Sequence, residues 1–145
     1  MKLFTIGFTK KTAEEFFTLL KKSGAVRVVD VRLNNVSQLA GFSKKDDLRY
    51  FLRAICKMDY VHMPELAPSH EILDTYKSGK GNWQQWEKDF LSLMSKRKVE
   101  QSVSRDVLNN AVLLCSEDTP DHCHRRLVAE YLSKKWGGVE IIHLT

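Results

Sequence analysis

The chain has 145 residues, of which 43% are hydrophobic and 28% are charged, and its formal net charge is +5. This length and composition exclude a disordered chain and predict one compact domain over residues 1–145 with a buried core. Three cysteines are too few, and odd in number, for a secreted disulfide framework, and no apolar stretch is long enough for a secretory signal or a bilayer span, so we expect a cytoplasmic protein with no membrane partner.

Strand and helix patterns alternate along the first half of the chain. A short β-rich run at residues 3–6 precedes the capping box Thr12-Ala13-Glu14-Glu15, which predicts a helix ending near Gly24. Residues 26–31 predict a second, buried strand, and Ser43 begins another helix because apolar residues follow it at helical spacing.

The second half continues this alternation. Residues 60–63 predict a short third strand, and aromatic and apolar residues from Trp83 to Met94 follow helical spacing. Residues 111–114 form an apolar run typical of a buried strand, and residues 123–136 predict a helix that stops at a glycine pair. The remaining segments are a short helix at 72–77, an ambiguous stretch at 99–110 and a closing strand at 139–142.

Alternating strands and helices of this length predict a single-domain, three-layer α/β/α fold with a mainly parallel sheet of about five strands and right-handed crossovers. The pattern does not determine the order of the strands. Because the loops that follow parallel strands leave the sheet at one edge, we expect several polar and reactive residues to converge there. These residues are Gly7, Phe8, Asp30, Arg32, His62, Glu65, Cys115 and Glu117.

The segment between the fourth strand and the last long helix holds the densest group of reactive side chains. Residues 115–126 contain two thiols, three carboxylates, two imidazoles and two guanidiniums. A strand-to-helix loop is where open α/β proteins place their sites, so we expect the chemistry of this protein here.

Several short motifs together resemble a known family, the bacterial and archaeal domain of unknown function numbered 488, over almost the whole chain. The motifs are Thr5-Ile6-Gly7-Phe8, Asp30-Val31-Arg32, Gly41-Phe42-Ser43, Tyr60 and His62 with Pro64-Glu65-Leu66, Leu114-Cys115-Ser116-Glu117 with Pro120, and Cys123-His124-Arg125-Arg126. The resemblance implies a compact α/β domain and makes these positions candidates for one shared site, but it supplies no reaction. Residues 33–37 lack the basic character usual in that family, and Ala67-Pro68 stands where the family has a glycine pair.

Two carboxylates are candidates for acid–base catalysis, Asp30 at the end of the second strand and Glu117 just beyond the fourth. If both face one cavity, they suit hydrolysis of a glycosidic bond, including the N-glycosidic bond of a nucleoside, because negative charge stabilises its oxocarbenium-like transition state. The alternative is ion pairing, of Asp30 with Arg32 or Arg125 and of Glu117 with Arg126, in which the carboxylates only hold the loops together.

The first turn of the last long helix is a predicted phosphate-binding site. Arg125 and Arg126 lie there with the backbone N–H groups of the helix start, and Arg32 could complete the site. The helix dipole repels cations at this end, so their placement requires an anion from the protein or from a phosphate. Neighbouring aromatic side chains could stack a nucleobase, although most aromatics in such a domain belong to the core. The expected binding residues are Gly7, Phe8, Arg32, Tyr60, His62, Glu65, His124, Arg125 and Arg126.

The cysteines allow two further chemistries. Cys123, near a helix N-terminus and between histidine and arginine, is expected to have a depressed pKa and to act as a nucleophile. Cys115, Cys123 and His124 are ligand types that suit zinc, but seven residues separate the thiols, so no metal or other cofactor is predicted. Cys115 itself, at a strand end, is expected to be a small core residue.

Three classes of function follow from these patterns. We favour an enzyme that acts on a nucleotide or nucleic acid, with Asp30, Glu117 and Cys123 as catalytic candidates. The alternatives are a thiol- or metal-dependent enzyme centred on Cys115 and Cys123, and a non-catalytic nucleic-acid-binding module suggested by the basic charge. The chain lacks a Gly-x-Gly-x-x-Gly fingerprint, a phosphate loop ending in Gly-Lys-Ser/Thr and a Cys-x5-Arg loop, which argues against dinucleotide, NTPase and phosphatase functions. The oligomeric state is left open.

Overall fold

The computed structural model of the protein describes residues 1–36, 41–77, 82–116 and 123–145. Within these ranges five strands form one sheet in the order β3-β2-β4-β1-β5, and every neighbouring pair is parallel. The α/β class predicted from the sequence is therefore confirmed. The strands are β1 (Lys2–Gly7), β2 (Arg27–Asp30), β3 (Asp59–His62), β4 (Ala111–Cys115) and β5 (Glu140–His143).

Helices connect the strands, and the ambiguous stretch at 99–110 contains two short ones. None of the helices in the described ranges combines the length and the apolar character needed to cross a bilayer. Short 3-10 turns occur at Gly41–Ser43 and Pro64–Leu66, and a π-helical turn at Leu52–Cys56 extends the second helix. The helices are α1 (Ala13–Ser23), α2 (Lys45–Phe51), α3 (His70–Lys77), α4 (Trp83–Arg97), α5 (Val99–Ser102), α6 (Arg105–Leu108) and α7 (His124–Trp136).

The boundaries of α1 arise from the predicted capping box. The hydroxyl of Thr12 accepts a hydrogen bond of 3.1 Å from the backbone N–H of Glu15, and the Glu15 carboxylate accepts one of 3.5 Å from the backbone N–H of Thr12. Gly24 ends the helix in the left-handed conformation, with φ of 74°, which glycine adopts without steric cost.

Residues along each central strand alternate between two cores on opposite faces of the sheet. On β4, Leu113 and Cys115 contribute to the core that α4 and α7 cover, and Val112 and Leu114 contribute to the core that α1 and α2 cover. This is the predicted three-layer arrangement, and it places the start of α7 on the same face as the thiol of Cys115.

We expect Leu113→Ala to lower the free energy of unfolding by about 2–5 kcal/mol, because it leaves a cavity in a fully buried position of the central strand. Urea denaturation followed by circular dichroism measures the change. The matched control is Val26→Ala at a side chain that is 50% exposed, for which we expect a change within about 0.5 kcal/mol. Equal losses in the two variants would contradict the buried position of Leu113.

Candidate functional site

The carboxyl ends of four strands lie side by side at one edge of the sheet, as the sequence predicts. In the sheet register Gly7 of β1 lies opposite Cys115 of β4, while Asp30 of β2 pairs with Leu114 of β4 on one side and His62 of β3 on the other. The strand order, which the sequence left open, thus places the end of β4 between those of β1 and β2.

This edge has a switch point between β1 and β4. The helix that follows β1, α1, packs on one face of the sheet, and the helix that follows β4, α7, packs on the other. In open parallel sheets the loops after two such strands diverge, and ligands bind in the crevice between them. Gly7 and Cys115 mark this position, and a 3.0 Å hydrogen bond from the backbone N–H of Thr9 to the carbonyl of Ser116 joins the two loops.

Asp30 and Arg32 form a buried ion pair at the end of β2, next to this switch point, and ion pairing is one of the two roles that the sequence left open for Asp30. Nε and Nη2 of Arg32 each donate a 2.8 Å hydrogen bond to one carboxylate oxygen of Asp30, and Nη2 also donates to the carbonyl of Ser43 at 2.7 Å. Asp30 is 0% exposed and Arg32 is 4% exposed. Burial lowers the pKa of Arg32, but the hydrogen bond and charge of Asp30 outweigh it, so the net shift is upward.

Phe8 and Tyr60 complete the surroundings of this pair. The Arg32 guanidinium lies 5.3 Å from the centroid of the Phe8 ring, and the hydroxyl of Tyr60 donates to Asp30 Oδ2 while it accepts a 3.2 Å hydrogen bond from Asn35. Burial, followed by the charge of Asp30, raises the pKa of Tyr60 far above its usual value, because both disfavour the phenolate. Both rings, predicted to bind ligand, therefore contact the ion pair.

His62 joins this network and the side chain of Glu65 stays at the surface. Nε2 of His62 lies 2.7 Å from the carbonyl oxygen of Arg32, and since a carbonyl only accepts, this nitrogen carries the proton. Glu65 is exposed, and its backbone carbonyl accepts a 2.8 Å hydrogen bond from Arg97, a residue that the sequence analysis did not single out.

His124, at the start of α7, is held in one orientation by the strand-end loop of β2. Its Nε2 lies 2.6 Å from the carbonyl oxygen of Val31 and therefore carries a proton. In the neutral ring Nδ1 is then an acceptor, and it lies 3.4 Å from Sγ of Cys115. The imidazole is 8% exposed, so this tautomer is fixed inside the protein.

Cys115, Cys123 and His124 form a compact group that we call the Cys–His cluster. Their potential ligand atoms, two sulfurs and a ring nitrogen, all lie within 4.8 Å of one another, and all three residues are buried. The sequence assigned Cys115 to the core, which is correct, but missed its contact with His124. The available signal was the order of a buried strand followed by a helix, because the start of such a helix commonly packs near the end of the strand.

The depressed pKa expected for the Cys123 thiol is wrong in direction. Burial raises its pKa well above the usual range, and the neighbouring Cys115 adds to the shift, while His124 opposes it only in part. The expectation rested on the helix N-terminus, where Cys123 is indeed the N-cap of α7. Removal of the sulfur from water, with 2% of the residue exposed, outweighs that local effect.

The arginines of the predicted phosphate site occupy separate surroundings. Arg126 pairs with Glu130 at 2.9 Å and lies 3.9 Å from Glu87 of α4, whereas Arg32 is bonded to Asp30. Arg125 is fully buried within the first turn of α7. These contacts do not present the three guanidiniums together as one surface clamp.

One predicted participant, Glu117, lies outside the described residues. The catalytic role assigned to Glu117, and its suggested pairing with Arg126, stay predictions from the sequence.

A stack of aromatic rings from α4 leads to the Cys–His cluster. The rings of Trp83 and Trp86 are 4.9 Å apart and 13° from parallel, and those of Trp86 and Phe90 are 5.3 Å apart and 11° from parallel. The His124 ring lies 5.6 Å from the Phe90 ring. The stack begins at the half-buried Trp83 and reaches the cluster through buried rings.

Comparison with known proteins gives one match. The family model described as Domain of unknown function DUF488 matches residues 12–132. The match includes the whole Cys–His cluster and the residues around the buried ion pair, Asp30, Arg32, Asn35, Tyr60 and His62, and leaves out Phe8. No curated protein and no solved structure is significantly similar to the chain.

We expect Asp30→Asn to lower the free energy of unfolding by about 3–5 kcal/mol, because it leaves the buried guanidinium of Arg32 without a counter-charge. Urea denaturation measures the loss. The control is Glu130→Gln, which removes an exposed partner of Arg126 and is expected to cost about 0–1 kcal/mol. A loss in Asp30→Asn as small as that in the control would show that the ion pair does not stabilise the fold.

We also expect Cys115 and Cys123 to react with iodoacetamide at least about 10-fold more slowly than Cys56 at neutral pH with a chelator present, because alkylation requires an accessible thiolate. Burial also raises the pKa of Cys56, but that residue is half-buried. Peptide mass spectrometry over time measures each rate, and denatured protein provides the reference in which all three thiols react alike. Alkylation of Cys123 at the rate of Cys56 would contradict its burial.

Proposed function

The chain belongs to the family of the domain of unknown function DUF488, and we propose that it is an enzyme that hydrolyses a nucleotide or nucleic-acid substrate, with its reactive centre at the Cys–His cluster. One observation carries this proposal: Nδ1 of His124 faces the thiol of Cys115 at 3.4 Å while Nε2 is held by the carbonyl of Val31. A thiol, a base within reach and a group that orients the base are the parts shared by nucleophilic and metal-assisted catalysis.

The position of the cluster in the sheet supports the proposal. Cys115 ends β4 at the switch point opposite Gly7, where open α/β proteins bind their ligands. A buried imidazole beside two thiols is also an unusual group to retain in a core, because buried polar groups need partners that hold them. A function for this group would explain why the protein tolerates the free-energy cost of burying it.

We propose a positioning role for Asp30. Its carboxylate accepts hydrogen bonds from the backbone N–H, Nε and Nη2 of Arg32 and from the hydroxyl of Tyr60. A fully buried carboxylate with these four bonds has little capacity left to take a proton from a substrate. Of the two carboxylates predicted for acid–base work, Glu117 keeps that role in the proposal.

Three features support a substrate that carries a base and a phosphate. The net charge of +5 favours acidic ligands, and the positive end of the α7 dipole lies beside the cluster, since Cys123 caps that helix. Of the Trp83–Trp86–Phe90 stack that leads to His124, Trp83 at the outer end is only half-buried, which suits stacking on the face of a nucleobase, whereas Trp86 and Phe90 are buried. We also propose that the reaction takes place in the cytoplasm, because three cysteines are too few, and odd in number, for a secreted disulfide framework.

The test is a panel of nucleosides, nucleotides and single-stranded oligonucleotides, with released base, ammonia or phosphate measured by liquid chromatography and mass spectrometry. We expect turnover by the wild-type chain and a loss of at least about 100-fold in Cys115→Ser and in His124→Gln, because each removes one part of the reactive centre. Circular dichroism and thermal melting confirm that each variant is folded.

The matched control is Cys56→Ser, which changes a thiol that contacts the carbonyl of Phe17 and belongs to the opposite core. It should keep wild-type turnover. Wild-type turnover in folded Cys115→Ser and His124→Gln would overturn the assignment of the centre. Salt-dependent oligonucleotide binding without turnover of any panel member would instead identify the non-catalytic module.

A further inference from the structure

We infer that Cys115, Cys123 and His124 bind a single Zn²⁺ ion through the two sulfurs and Nδ1 of the imidazole. The inference deepens the proposed function and rests on it for the catalytic role of the ion, whereas the binding site itself stands on geometry alone. The ligand atoms come from the end of β4 and the start of α7, and all lie within 4.8 Å of one another.

The separations fit a tetrahedral zinc site with small adjustments. Zinc–sulfur and zinc–nitrogen bonds of the usual lengths place a sulfur and a nitrogen about 3.5 Å apart, and two sulfurs about 3.8 Å apart. Sγ of Cys115 and Nδ1 of His124 are already 3.4 Å apart. With every pair within 4.8 Å, no pair exceeds its target by more than about 1.3 Å, a distance that rotation of a cysteine side chain covers.

The orientation of His124 is the one that a metal ligand requires. Metal-bound histidines normally donate their other ring N–H to a carboxylate or a backbone carbonyl, which fixes the tautomer and directs the lone pair at the metal. Here Nε2 donates to the carbonyl of Val31, and the lone pair of Nδ1 faces the sulfur of Cys115. The outer partner that a zinc site needs is therefore already in place.

The charge balance suits a buried position. Zn²⁺ displaces the thiol protons of Cys115 and Cys123, the zinc–sulfur and zinc–nitrogen bonds form, and about two protons leave to solvent at neutral pH, with no change of oxidation state. Two thiolates neutralise the ion, so the cluster gains no net charge among the apolar side chains of its core. Nε2 of His124 keeps its proton and still donates it to the carbonyl of Val31.

The spacing that argued against a metal in the sequence does not exclude one in the fold. Short Cys-x-x-Cys spacings are required where one tight turn supplies both sulfurs. In this protein the thiols come from a strand end and a helix start that lie side by side in the fold. Three protein ligands leave one tetrahedral position for water or a substrate atom, which is the pattern of catalytic rather than structural zinc sites.

The experiment uses the full, reduced chain after exhaustive treatment with a chelator, titrated with Co²⁺ as a coloured probe and then with Zn²⁺. We expect about one ion per chain, a thiolate-to-cobalt charge-transfer band with the visible bands of tetrahedral cobalt, and loss of both on addition of Zn²⁺. In unbuffered solution we expect release of about two protons per Zn²⁺.

Substitution of each ligand should weaken the affinity for Zn²⁺ by at least about 100-fold. This loss is larger than the one usually seen when a ligand loses only its hydrogen-bond partner outside the metal site. The variants are Cys115→Ser, Cys123→Ser and His124→Gln, with Cys56→Ser as the control that keeps wild-type affinity. Each cysteine is also replaced by alanine in case a buried hydroxyl unfolds the chain. Wild-type protein should melt at a higher temperature with Zn²⁺ than without, and the folded ligand variants should show no such difference.

The site is overturned if the folded, reduced wild-type chain shows no charge-transfer band and no thermal shift with micromolar metal, because the group is then a buried thiol pair bonded to an imidazole. Wild-type affinity in a folded ligand variant overturns it equally. Ion binding without hydrolysis of any panel substrate leaves the site standing and overturns the proposed function. Hydrolysis at full rate by the zinc-free chain overturns the catalytic role of the ion.

Discussion

The buried ion pair between Asp30 and Arg32 sets the course of the chain beyond β2, and the histidines of the site depend on that course. Burying both charges is costly, and the cost is offset because both carboxylate oxygens of Asp30 and the Nε and Nη2 groups of Arg32 find partners. The carbonyls of Val31 and Arg32 are thereby fixed, and they orient His124 and His62. These two carbonyls determine which nitrogen of each imidazole carries the proton.

This arrangement assigns different tasks to the polar residues of the edge. Asp30, Arg32, Tyr60 and Asn35 satisfy one another and form a rigid support. The thiols and the imidazole of the Cys–His cluster lie at the switch point between β1 and β4, and the proposed chemistry is assigned to them. The Asp30–Arg32 network is built on charged groups that already neutralise each other. The Cys–His cluster offers soft sulfur and nitrogen donors, which suit a thiol-binding cation better than a phosphate.

Local patterns were sufficient to predict most of the architecture. The apolar run of β4 and the capping box of α1 are periodic or short-range signals, and the convergence of strand ends follows from parallel pairing alone. The partner of each side chain was harder to predict, since periodicity assigns a face and gives no rotamer. Arg32 was a candidate phosphate ligand, with pairing to Asp30 as the alternative, and only the structure decides between them. The pKa of Cys123 depends on its burial in a core that it shares with Trp86 and Phe90 of α4, more than 30 residues away in the chain.

The strand order also determines at which stage of synthesis the Cys–His cluster can form. β1 and β2 do not pair with each other in the described sheet, and each is bonded to β4, which begins at residue 111. A nascent chain that ends before β4 has no partner for its first strand, so closure of the sheet waits for contacts of high sequence separation. Sulfur and imidazole therefore meet only after β4 and the start of α7 have been synthesised, and a truncated product that ends before β4 lacks the assembled Cys–His cluster.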